Sequence, residues 1–184
     1  MDEFIERFVG LGTFEIVSGE MYVTDPLFEL DTECVSALKN VRSGRWNAAV
    51  YMVKTGGNVE LVSRLAVWHE DAPEPDQLRK AEADFEVPVD AGQAGFFDTA
   101  HYRDSSVIDT APAETYSDGE CVWFDRCCEI ALGPDQAGVL PFGAVSTSGY
   151  GDDVYPCVYY ANEAGEILRA ELAFITEEDF ADDD

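Results

Sequence analysis

Two short segments hold most of the residues able to do chemistry in this chain. The first is Val87-Pro-Val-Asp-Ala-Gly-Gln-Ala-Gly-Phe-Phe-Asp98, and the second is Ser146-Thr-Ser-Gly-Tyr-Gly-Asp-Asp-Val-Tyr155. In the first, Gly92 and Gly95 lie between Asp90 and Asp98. Backbone amides freed around such glycines can cradle an anion, and the flanking carboxylates can hold a cation. In the second, Ser148, Gly149, Gly151, Asp152, Asp153 and Tyr155 bring hydroxyls, carboxylates and permissive backbone into one loop. Carboxylate oxygens are the hard ligands that Ca2+ and Mg2+ prefer. Asp90, Asp98 and Asp152 are therefore a candidate metal set if separate loops converge. A plainer reading fits the same residues. The glycines take backbone angles closed to other side chains, and the aspartates cap amides at two corners. Neither segment matches a phosphate-binding signature or an EF-hand.

Other catalytic arrangements find little support. His69 and His101 are the only histidines, and Ser146 and Ser148 lie in no Gly-x-Ser-x-Gly elbow. A carboxylate pair of the kind used in glycoside hydrolysis cannot be singled out among 38 acids. Five cysteines (Cys34, Cys121, Cys127, Cys128 and Cys157) show no C-x-x-C spacing, so neither zinc nor a disulfide framework is indicated. The vicinal Cys127-Cys128 pair reads either as a redox couple or as buried free thiols.

Charge narrows the partners. Acids outnumber Lys plus Arg by 38 to 11, for a formal net charge of -27. Direct nucleic-acid binding needs clustered cations and is excluded, as is an anionic membrane surface. A basic protein and divalent cations remain as partners. Solubility, a halophilic source and mimicry of DNA are further meanings for the acidity. The N-terminus lacks a signal-peptide pattern, and no apolar run approaches the ~20 residues that span a bilayer. The expected location is a reducing, cytoplasmic one.

The elements that must position these residues are mostly strands. Hydrophobic residues make up 46% of the 184, enough for one buried core. Phe4, Ile5, Phe8 and Val9 predict a short amphipathic helix over 2–9. Strands are predicted at 14–17 and 20–24, and a hairpin at 46–68 around Lys54-Thr-Gly-Gly-Asn58. Helix formers predict a helix over 76–84, followed by a strand at 85–89. Residues 100–119 read as irregular or as a short helix near His101 and Tyr102, and 120–132 as β-like. Strands at 142–146, 154–161 and 167–174 follow, the last two joined by Asn162-Glu-Ala-Gly165. The fold class expected is mainly β (α+β): a single domain over 1–176 of mostly antiparallel sheet or sandwich with two or three short helices. Residues 177–184 are expected to form a disordered acidic tail.

Taken together, the two glycine segments resemble a family of bacterial and phage proteins known only as a domain of unknown function. Val89-Asp-Ala-Gly-Gln-Ala-Gly-Phe-Phe-Asp98 and Ser148-Gly-Tyr-Gly-Asp-Asp-Val-Tyr-Pro-Cys-Val-Tyr159 carry the likeness. Ser18-Gly-Glu-Met-Tyr-Val-Thr-Asp-Pro26 and Ala164-Gly-Glu-Ile-Leu168 add to it, so it spans residues 18–174. The resemblance implies that the two loops lie close together, and it brings no activity with it. Where the family pattern has Gly-Asp-Gly, this chain has Gly151-Asp152-Asp153. That departure raises the prospect of backbone strain at Asp153.

The function expected from sequence is a non-enzymatic interaction protein, of an immunity or anti-defence type, whose acidic surface engages a basic partner. The alternatives are a small enzyme or ligand-binding module built on the two loops, with Ca2+ or Mg2+, and a DNA mimic.

Overall fold

A computed structural model describes residues 3–182. In chain order the elements are β1 (Glu6–Ile16), β2 (Met21–Thr24), β3 (Ser36–Leu38), β4 (Gly44–Thr55), β5 (Val59–His69), β6 (Arg79–Val89) and β7 (Gln93–Asp98). They continue with α1 (Val122–Ala131), β8 (Ala137–Leu140), β9 (Gly143–Thr147), β10 (Asp153–Ala161), β11 (Ile167–Ala173) and α2 (Glu177–Asp182). All named strand pairs are antiparallel, in a six-stranded sheet of order β1-β4-β5-β11-β10-β6 and a five-stranded sheet of order β3-β2-β7-β9-β8. The two sheets pack as one β-sandwich-like domain.

The β4–β5 hairpin forms as its turn residues require. Gly57 and Asn58 both take positive φ in the turn, and Thr55 pairs with Val59. Between the sheets, Phe14, Trp46, Leu65, Phe96 and Leu172 are almost wholly buried. Each such side chain contributes about 1.5–3 kcal/mol of transfer free energy. The far face of the five-stranded sheet packs a second cluster, in which Trp123, Phe124 and Cys127 of α1 meet Phe97 and Val145.

Three sequence expectations fail, each for a packing reason. The N-terminal helix over 2–9 is replaced by β1 from Glu6 onward, paired with β4 from Glu6↔Val53 to Ile16↔Gly44; Asp2 lies outside the described residues. The helix over 76–84 is replaced by a single turn at Pro75–Gln77 and then β6. Its exposed and half-buried residues alternate, as a strand's do. The β-like run at 120–132 is α1, where Trp123, Phe124, Cys127, Cys128 and Ala131 fall on one buried helical face. The acidic segment from Glu177 forms α2 as far as Asp182, with Thr176 and Asp179 exchanging hydrogen bonds at its start. Residues 183–184 lie outside the described residues.

Candidate functional site

Topology brings the two glycine segments together. Residues 90–92 carry the chain from β6 in one sheet to β7 in the other, and residues 148–152 return it from β9 to β10. Because β6 pairs with β10 and β7 with β9, the two crossings run side by side. They are bonded directly: Ser148 N donates to the Gly92 carbonyl (3.1 Å), and Gly92 N donates to Asp152 Oδ1 (2.9 Å).

A third segment joins them, the connection from β2 to β3 within the five-stranded sheet. Asp25 follows β2, which pairs with β7, and its side chain is wholly buried. Its Oδ2 accepts from the N–H groups of Asp90 (2.8 Å) and Ala91 (2.7 Å), while Oδ1 accepts from Leu27 N (2.8 Å). Burial pushes the Asp25 carboxyl above its ordinary value, against the pull of the three N–H donors. In the sequence this residue stands only within the segment 18–26 that adds to the family resemblance, with no role of its own. Its turn onto Leu27 is a local pattern, but its partners at 90 and 91 are visible only in three dimensions.

The return loop closes on itself. Tyr155 Oη lies 2.9 Å from the Ser148 carbonyl oxygen and 2.6 Å from that of Gly151, and Ser148 Oγ donates to the Gly151 carbonyl (2.9 Å). Burial, with Asp153 nearby, raises the Tyr155 phenol. Gly149 (φ 66°) and Gly151 (φ 119°) take angles suited to glycine. A side chain at Gly149 would also press on Ile175, with a Cβ 2.8 Å from its Cγ1. Asp153 does not adopt positive φ; it pairs with Val89 as the first residue of β10. Asp153 therefore carries no left-handed strain. A shallow cleft of 410 Å3 lies outside this loop between Tyr150, Asp152, Phe174 and Asp179.

Two residues of the first segment serve elsewhere. Gly95 is not a bend; it sits in the middle of β7, where a Cβ would collide with the Ala144 carbonyl and lie 2.7 Å from Phe97 Cζ. Asp98 ends that strand about 17 Å from Gln93, at ~3.3 Å per residue. Its Oδ1 accepts from Val17 N, Ser18 N and Ser18 Oγ, which fixes the β1–β2 corner. Asp98 thus stands apart from Asp90 and Asp152, both exposed at the other end of the sandwich. The expected three-carboxylate set does not assemble. Among the described residues no group of three or more His, Cys, Asp or Glu side chains is placed to hold a metal ion.

The histidines and cysteines are likewise dispersed. His69 Nε2 lies 3.0 Å from the Ser43 carbonyl, and His101 stacks on Phe142 with ring centroids 3.8 Å apart. Cys128 Sγ accepts from Gln93 Nε2 (3.4 Å). Burial raises the thiols of Cys127, Cys128 and Cys157, which disfavours the nucleophilic thiolate. With native protein at neutral pH, alkylation followed by mass spectrometry is expected to label the half-buried Cys34 first. Cys127 and Cys157 should react only on unfolding, and equal labelling of Cys127 and Cys34 would contradict the packing of α1.

No curated protein and no solved structure matches the chain. Residues 14–171, from within β1 to within β11, match a family model described as a protein of unknown function (DUF4241), and the chain belongs to that family.

Proposed function

We propose that this protein is a non-enzymatic interaction protein, of an immunity or anti-defence type, that engages a basic partner through acids at the β6 edge of the sandwich. The observation that carries this reading is the placement of exposed carboxylates. Glu82, Asp84 and Glu86 are exposed at alternate positions of β6, and Asp90 continues the exposed acids past its end; Asp152 is held by Gly92 N instead. Carboxylates spaced two residues apart along a strand stand roughly 6.6 Å from one another, close enough to act on one cationic partner. By contrast, the hydroxyls and amides of the two glycine loops are bonded to one another, which leaves few groups to hold a substrate.

The same sheet argues against a DNA mimic. Trp68, Arg169, Tyr160 and Lys80 lie in register across β5, β11, β10 and β6, so they share a face. The Arg169 guanidinium lies 5.4 Å from the Trp68 ring centroid and 5.8 Å from that of Tyr160. A row of aromatic and cationic side chains interrupts the continuous negative field that a mimic of duplex phosphates needs.

Affinity for a short oligolysine peptide, measured at two ionic strengths, tests the proposal. The E82Q/D84N/E86Q variant is expected to lose about tenfold, near 1.4 kcal/mol, while Asp152→Asn keeps wild-type affinity. Wild-type binding should weaken as salt screens the charges. The opposite pattern, with Asp152→Asn losing binding and the triple variant keeping it, overturns the reading.

A further inference from the structure

The two sheets do not match in extent at the edge where β6 lies. β6 runs for 11 residues at the end of the six-stranded sheet, whereas β3, the corresponding edge of the other sheet, has only 3. The consequence shows along β6 itself. Val87 and Val89, turned toward the core, are buried, but Ala83 and Phe85 on the same side are only half-buried. The uncovered space is a groove of 510 Å3 lined by Leu38, Ala83, Phe85 and Tyr159 together with Glu82, Asp84 and the single cation Lys39.

Among the described residues, β10 is the only strand paired with β6. Its other edge carries unpaired backbone N–H and C=O groups, the template on which a further strand can form. Pro88 and the run Lys80, Glu82, Asp84 and Glu86 protect such an edge from indiscriminate pairing. That protection is selective in sign. An acidic strand meets like-charge repulsion and a neutral one leaves the carboxylates desolvated without a partner, whereas a strand bearing Lys or Arg meets opposite charges across the pair.

We propose that the open edge of β6 accepts an extended segment of a basic partner protein as an added antiparallel or parallel strand. Its apolar side chains enter the groove beside Phe85, and its intervening Lys or Arg side chains face Glu82, Asp84 and Glu86. The segment recognised alternates apolar and basic residues, because successive side chains of a strand point to opposite faces. This inference rests on the reading of the acidic edge as a partner surface and adds the mode of binding.

The test compares two short capped peptides of the same composition, one alternating lysine and valine and one with its lysines in a single block. Binding is read by calorimetry, and amide hydrogen exchange of β6 is followed by NMR with each peptide. The alternating peptide is expected to bind about tenfold or more tightly and to slow exchange of outward-facing amides between residues 80 and 87. Equal affinities, with no β6 amide protected, overturn the added strand while leaving an acidic binding surface in place. Failure of both peptides to bind overturns the partner-surface reading as well.

Discussion

Replacing Gly95 by alanine is expected to destabilise the protein by about 3 kcal/mol, at the upper end of what overpacking a core costs. The cause is local and severe. A Cβ at this position of β7 collides with the Ala144 carbonyl of the neighbouring strand and comes within 2.7 Å of Phe97 Cζ. Neither can retreat easily: Ala144 is wholly buried in β9, and Phe97 is packed against Trp123 at 5.0 Å between ring centroids. Gly56, where a Cβ would meet nothing within 4 Å, serves as the control, and Gly56→Ala should be nearly neutral. Urea unfolding checks both, through a shift in midpoint at constant slope. A Gly95→Ala protein with the wild-type midpoint would contradict the pairing of β7 with β9.

The second large effect is expected at Asp25. Asp25→Ala leaves the N–H groups of Leu27, Asp90 and Ala91 without their acceptor. At about 1 kcal/mol or more for each orphaned donor, the loss is ~3 kcal/mol. The change should also reach beyond its own neighbourhood. Residues 90–91 lie 65 and 66 positions away in sequence, and their amides are expected to exchange faster in the variant. Wild-type stability together with wild-type exchange at 90 and 91 would show that Asp25 does not anchor the crossing from β6 to β7.

Both effects concern residues whose importance the sequence conveys unevenly. Gly95 is visible as a glycine beside an aromatic pair, but that pattern suits a bend as well as a strand that a neighbouring backbone approaches closely. Only the Ala144 contact decides between them. The β4–β5 hairpin and the strands β10 and β11 are legible because local turn chemistry and β-rich runs agree with the final pairing. The segment 79–84 misleads because its helix-forming residues have no apolar helical face; the alternating burial of Ala81, Ala83 and Phe85 against the core wins instead. The reverse holds for α1, where a run rich in Cys, Trp and Phe resembles a strand, yet 123, 124, 127, 128 and 131 carry helical periodicity.

The candidate site is partly legible for similar reasons. Gly92, Ser148, Asp152 and Tyr155 do meet, because two neighbouring crossings between the same sheets must lie side by side. Only sequence proximity groups Asp98 with them, and the length of β7 carries it to the opposite end. Asp25 escapes a reading of the sequence because its partners lie far along the chain.

The proposal that the two glycine loops serve the fold, and that the exposed acids face a partner, is tested most directly by thermal melting. Wild type and Asp152→Asn are each melted with and without Ca2+ and Mg2+, at two ionic strengths. Monovalent salt is expected to raise both melting temperatures by screening the repulsion of a chain with net charge -27. Divalent ions at matched ionic strength should add nothing specific. A ligand of the folded state at a hundredfold excess over its dissociation constant adds ~2.7 kcal/mol. A cation-specific rise of that order, abolished in Asp152→Asn, would contradict the account and make the loops a metal site.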